Sequence, residues 1–245
     1  MEKKIGITSA VLHIIAMALM LCDHAWATIL GQYTILNDLG RVAYPIFAFM
    51  LVEGFYHTSN LKKYILRMLV FAFISEIPFN LMTNGVFIYP YHQNVMWTFV
   101  IALLLMAWIE QTRKKGVLWK TILVSILATG IGFLAGFASF ADYFGFGVLA
   151  ILAFYFFRGK KWWNYVGQVV CLYCIFVEGL GGYCHIVTIF GHTFEVVQEG
   201  FALFALIPIW LYNGKKGYNA KWFKYFCYSF YPAHIFILYL MRFVV

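Results

Sequence analysis

Two adjacent residues inside an apolar run, Asp23 and His24 of LMLCDHAWATIL, are of the types that handle protons. Imidazole titrates near neutrality, so His24 suits the taking and returning of a proton. A nearby carboxylate can fix the tautomer of such a ring and stabilise its cation. Helix neighbours project about 100° apart, so Asp23 reaches His24 only obliquely. Glu76 is the rival orienting carboxylate. Asp23 has two other uses, pairing with Arg41 or holding a cationic acceptor. Ionisable groups at membrane depth cost about 2.5–3.5 kcal/mol each and usually face a bundle interior or a wet cavity. The plain alternative is a buried ion pair that pins helices together.

The spacing of other polar residues favours a convergent site. His24 lies about 22 Å along the first helix, in the outer half of a bilayer. Arg41 opens the second helix on that side, Glu76 lies well along the third, and Gln93 and Asn94 begin the fourth. His13, Met17 and His24 fall on one helix face with a rise of about 16 Å, which suits a lengthwise crevice for an extended thioester arm. Glu53 and His57, a turn apart, could meet a polar or phosphorylated ligand near the inner end of helix two. Tyr231 and His234 in FYPAHIFILYL stand near mid-depth of the last helix as cavity residues. Pro45 and Pro78 each remove a helical amide and expose a backbone carbonyl.

The elements that must position these groups are membrane helices. Of 245 residues, 63% are hydrophobic and only 11% charged, with mean hydropathy +0.80, which excludes an ordinary soluble surface. Several apolar runs pass the roughly 18-residue length of a spanning helix. They cover approximately 7–30, 40–57, 63–83, 94–111, 117–138, 142–157, 162–179, 199–212 and 223–243. With the N-terminus cytoplasmic, 16 of the 18 basic residues fall on one side, and only Arg41 and Arg242 lie towards the other. This division predicts an all-α, polytopic integral membrane bundle of about nine helices, with the C-terminus extracytoplasmic, in the plasma membrane.

The net charge of +8 therefore reads as topology and not as nucleic-acid binding. The first run continues beyond a signal peptide's length, so it reads as the first spanning helix. Residues 179–199 are apolar without Lys or Arg, and the expectation is a segment that dips into the membrane or packs over its outer face. Cys171 and Cys174 have neither redox nor zinc context, and no metal site is expected. Gly130, Gly132 and Gly136 allow close helix packing within or between protomers, so a homo-oligomer stays open. No linker or repeat divides residues 1–245, which read as one domain.

Several stretches together resemble the TraX family: LCDHAWATIL, LGRVAYPIFAFMLVEGFYHTSNLKKYILRMLVFAFISEIPFNL, QNVMWTF and YPAHIFILYL. The resemblance covers about residues 10–105 and returns at 228–240; across 106–225 only hydropathy agrees, so no role is carried over there. It implies a multi-helix membrane protein linked to amino-terminal acetylation of pilin subunits. It also implies kinship with transmembrane acyltransferases that use acetyl-CoA, including the lysosomal heparan glucosaminide enzymes. In that group a membrane-embedded histidine does the chemistry, and the matching residue is His24.

The joint expectation is an acetyltransferase with a cytoplasmic acetyl-CoA donor and an extracytoplasmic acceptor, whether an amino sugar, a peptide N-terminus, another amine or a hydroxyl. His24 acts as general base or acyl carrier. Arg41, Gln93 or Asn94 donates to the oxyanion, and Asp23 and Glu76 orient His24 and the acceptor. Glu53, Tyr231 and His234 join the substrate site. His13 and His57 line the donor path, and Lys62, Lys63 and Arg67 meet the CoA phosphates. The main rival is a proton-coupled transporter, for which intramembrane carboxylates and histidines are usual equipment. A non-catalytic scaffold for envelope assembly is the third reading.

Overall fold

The structure, a computed structural model, describes residues 6–189 and 192–244; Lys3 and Lys4 lie outside them. It is 73% helical. Among the described residues, six helical spans are long and apolar enough to cross a membrane: Ser9–Thr28, Thr34–His57, Leu61–Asn84, Val95–Arg113, Leu118–Ala138 and Trp162–Leu180. The chain is a multi-pass membrane protein. Shorter apolar helical stretches cover Phe144–Phe156 and Gln198–Trp210, and a further helix covers Lys221–Met241.

Two compact units divide the chain, residues 1–50 with 169–245 and residues 51–168. The first contains α1 (Ser9–Thr28), α2 (Thr34–Arg41) and the start of α3 (Ala43–His57). It also contains the end of α8 (Trp162–Leu172), which continues as π-helix over Tyr173–Leu180. An antiparallel hairpin of β1 (Cys184–Ile189) and β2 (His192–Val197) follows, then a 3₁₀ stretch (Gln198–Ala205), α9 (Leu206–Trp210) and α10 (Lys221–Met241).

Within this unit α1 packs on α2 and α10, and α2 packs on the 3₁₀ stretch. Close approach of α1 and α2 depends on Gly40, where a Cβ would come within 2.3 Å of Asp23 Cβ. The α1 start is held by Ser9 N–H and Ala10 N–H donating to the Lys215 and Lys216 carbonyls at 2.9 and 3.0 Å. The break between α2 and α3 at Val42 follows from Pro45, which has no N–H to give the Arg41 carbonyl four residues earlier. The helical span begins at Thr34, earlier than its apolar run, so Arg41 closes a short helix that also carries Asn37 and Asp38 and does not open helix two as expected.

The hairpin is the departure from an all-helical chain. The Gly181–Gly182 pair, both at positive φ (69° and 99°), ends the π segment. The β-branched and aromatic residues of HIVTI and HTFEVV then favour extended pairing.

The second unit contains the rest of α3, α4 (Leu61–Asn84), α5 (Val95–Arg113), α6 (Leu118–Ala138), α7 (Phe144–Phe156) and the start of α8. Helix α5 packs on α4, α6 and α7. Asn60 caps α4 by accepting from Lys63 N–H at 2.9 Å, and Gly85 ends it in the left-handed conformation. Gly132 and Gly136 serve close packing inside this unit: added Cβ atoms would come within 2.7 Å of Leu105 and 2.5 Å of the Phe144 carbonyl. Gly130 meets nothing within 4 Å.

Candidate functional site

In the first unit, α1 and α10 bring His24 and His234 together. His24 Nδ1 and His234 Nε2 are 2.6 Å apart. The two ring planes differ by only 9° and the centroids are 4.9 Å apart. That separation is about two imidazole radii plus the hydrogen bond, so the rings lie edge to edge in a nearly common plane, a well-aligned bond. His234 is buried, 5% exposed, and its Nδ1 lies 2.6 Å from the Phe230 carbonyl one turn earlier. The Phe230 ring lies nearly parallel to the His234 ring at 4.6 Å, and the Tyr231 ring is 6.2 Å from that of His24.

Beside this pair lies a charge network. Arg41 pairs with Asp23 through Nη2 and with Glu199 through Nη1 at 3.0 Å. One α2 turn supplies both Arg41 and the buried Asp38, whose carboxylate accepts from His185 Nε2 at 2.9 Å and from Gln198 Nε2 at 3.4 Å. Polar contacts thus run from α2 to the segment after the π-helix, the Asp38–His185 hydrogen bond to β1 and the Arg41–Glu199 ion pair to the 3₁₀ stretch. Asn37 Oδ1 and Trp26 Nε1 are buried with no hydrogen-bond partner among the described residues. A buried acceptor and a buried donor left in this way are polar atoms that a bound substrate can satisfy.

In the second unit, Glu76 Oε2 accepts from Asn94 Nδ2 and from Trp97 Nε1 at 3.0 Å, while its Oε1 is buried without a described partner. Asn94 also caps α5 through Met96 N–H at 3.0 Å and donates to the Ala72 carbonyl at 2.9 Å. Gln93 is tied by its backbone to Phe140 and Asp142 and by its side chain to the Tyr89 carbonyl at 3.0 Å. His92 Nε2 lies 3.6 Å from Asp142 Oδ1, and this carboxylate raises the His92 pKa against the opposing effect of burial.

Comparison with known proteins matches the model described as TraX protein over residues 8–242. The chain belongs to the TraX family. It is also 35% identical over 80 residues to "Probable fimbrial assembly protein FimC, serogroup H1" of Dichelobacter nodosus. That match covers 31% of this chain and 33% of the relative, so the chain spans about a third of the relative it matches. No solved structure matches the chain.

Of the remaining residues expected at the site of this TraX chain, His13, Glu53 and His57 have structural partners of their own. His13 Nδ1 donates to the Ser9 carbonyl at 2.8 Å. Glu53 receives Arg158 at 2.7 and 3.4 Å, and His57 Nδ1 lies 2.8 Å from the Glu53 carbonyl. Lys62 and Lys63 are exposed at the start of α4. Arg67 lies over the Tyr64 ring at 5.6 Å with its Nε buried and unpartnered among the described residues. No group of three His, Cys, Asp or Glu placed to hold a metal occurs among the described residues.

Sequence reasoning missed Asp38, Glu199, His185 and Trp97. Asp38 carried a readable signal, since it stands three residues before Arg41 and shares its helix face. Glu199 and His185 carried none, because only folding brings them to α2 across more than 140 residues of chain.

Proposed function

We propose that this TraX-family protein is a membrane-embedded acetyltransferase. It moves an acetyl group from cytoplasmic acetyl-CoA to an extracytoplasmic amine or hydroxyl, with His24 as general base or acyl carrier. The observation that carries the reading is the in-plane hydrogen bond between His24 and His234, two imidazoles from different helices, set beside an arginine shared by two carboxylates. An imidazole exchanges protons near neutral pH and forms labile acyl adducts, which suits thioester chemistry. A pair that served packing alone would gain little from buried polar atoms that must be mutually satisfied.

In the proposed reaction the acceptor's N–H or O–H gives its proton to His24 while its nitrogen or oxygen bonds to the acetyl carbonyl carbon. The carbon–sulfur bond then breaks and the proton passes to the leaving thiolate. Arg41 contributes positive potential to the developing oxyanion. Lys62, Lys63 and Arg67 are the proposed contacts of the CoA phosphates. The topology that goes with this has nine crossings in the plasma membrane, the N-terminus inside and the C-terminus outside. The fimbrial name of the relative supports an acceptor in pilus-related processes.

The deciding experiment follows label from acetyl-labelled CoA with purified protein, with and without a pool of amines and sugars. It compares the parent with His24→Ala. Transfer by the parent and none by a folded mutant that still binds CoA is the expected result. If the parent neither binds nor consumes acetyl-CoA, the proposal fails and proton-coupled transport takes its place. Label retained on the parent alone identifies an acetyl-His24 intermediate.

A further inference from the structure

We infer that His234 is the positioning residue that fixes the tautomer of His24, so that the His24 lone pair lies on Nε2. The argument starts from the Phe230 carbonyl. A carbonyl oxygen only accepts, so the His234 Nδ1 that lies 2.6 Å from it must donate an N–H. A neutral imidazole has one N–H, which leaves His234 Nε2 as an acceptor. His24 Nδ1, 2.6 Å from that acceptor, must then be the N–H donor, and the His24 lone pair falls on Nε2. The chain of donors therefore runs in one direction, from His24 through His234 to the α10 backbone.

The hydrogen bonds hold this direction. His234 is 5% exposed and its ring lies within 15° of parallel to that of Phe230 at 4.6 Å, and turning it over in that plane would carry Nδ1 away from the Phe230 carbonyl and Nε2 away from His24. His24 shares the His234 plane to within 9°, which places its Nδ1–H on the bond axis. This gives His234 the part that a carboxylate takes in many general-base pairs, to fix the tautomer and orientation of the reacting imidazole. A neutral partner suits the site, because the nearby carboxylates Asp23 and Glu199 already share Arg41.

The catalytic consequence rests on the acyl-transfer reading; the tautomer assignment does not. During transfer the acceptor's proton would arrive at His24 Nε2 as the new bond to the acetyl carbon forms. The Nδ1–H of the resulting imidazolium stays donated to His234, which spreads the positive charge along the pair. When the carbon–sulfur bond breaks, the proton leaves Nε2 for the thiolate, and both rings return to their starting tautomers.

Two readouts separate the inference from the function it serves. Nitrogen NMR of the full chain with ring-labelled histidine, using His24→Gln to assign the signal, reports which His24 nitrogen carries the proton. The expected result is Nδ1–H in the parent and a shift towards Nε2–H in His234→Phe, which keeps the aromatic packing and removes the acceptor. In the label-transfer assay, His234→Phe should lower kcat by roughly 100-fold with the KM for acetyl-CoA unchanged, and His234→Gln, whose amide oxygen accepts, should recover at least a tenth of the parent rate. A parent His24 that carries its proton on Nε2, or an unchanged kcat in folded His234→Phe, overturns the inference. If the parent does not consume acetyl-CoA, the function fails while the NMR result still decides the tautomer. Should His234→Phe not fold, the parent spectrum and His234→Gln suffice.

Discussion

Arg41 is the residue on which most of the charge near His24 depends. Asp23, Arg41 and Glu199 are each largely buried, with side chains 13–18% exposed, so neither carboxylate has much water to replace the guanidinium. Replacing Arg41 with Met should therefore destabilise the protein by about 3 kcal/mol, since removing one partner strands the other charges. Thermal unfolding in detergent checks this. Combining it with Asp23→Asn should return part of the loss, as expected for residues in one network. At the same scale His24→Ala should abolish transfer and also lower the melting midpoint, because it leaves the buried His234 Nε2 without its partner, at a cost of about 1–3 kcal/mol.

Among the elements, α1 and α2 meet through a glycine, and α6 and α7 do the same. Gly40→Ala forces a methyl into Asp23 and should cost about 1–3 kcal/mol, with loss of activity through the displaced Arg41 pair. Gly130→Ala is the control: nothing lies within 4 Å of the added carbon, so better helix propensity should make it neutral or stabilising by up to about 1 kcal/mol. The His92–Asp142 contact joins the α4–α5 loop to the α6–α7 turn and gives a pH prediction. His92 has its pKa raised above the ordinary value near 6.5, so the folded state binds this proton more tightly than the unfolded chain. Its stabilisation is fully present below about pH 6.5 and is lost as pH rises through the elevated value. The difference in melting midpoint between the parent and His92→Gln should narrow over that interval.

For the whole molecule, the proposed topology predicts where added labels are reached. Single cysteines at Lys115, Lys160 and Lys215 should react with an impermeant reagent only after the membrane is opened, and one at Gly85 or Tyr183 should react in intact cells. Protection at Gly85 or ready labelling at Lys115 from outside would reverse the orientation. The same loops show which features of the molecule were readable in advance. Six of the apolar runs form helical spans long enough to cross a membrane among the described residues, and composition and length forecast them because a backbone in hydrocarbon must satisfy its own hydrogen bonds. Pro45 also announced the break before α3, since a missing N–H acts locally. The hairpin was harder to foresee, because an apolar stretch of that length suits a membrane-dipping segment as well as two paired strands.

The candidate site divides along the same line. Sequence alone determined that Asp23, His24, Arg41 and Glu76 are ionisable groups in apolar surroundings, and that these demand partners. It did not determine the partners. Asp23 takes Arg41 and Arg41 takes Glu199, while Glu76 takes neutral donors from Asn94 and Trp97. His24 takes His234, 210 residues away. Apolar length and local backbone chemistry act between neighbours and can be read along the chain. The choice among chemically equivalent partners depends on which helices pack together and at what rotation, and tertiary structure alone supplies that.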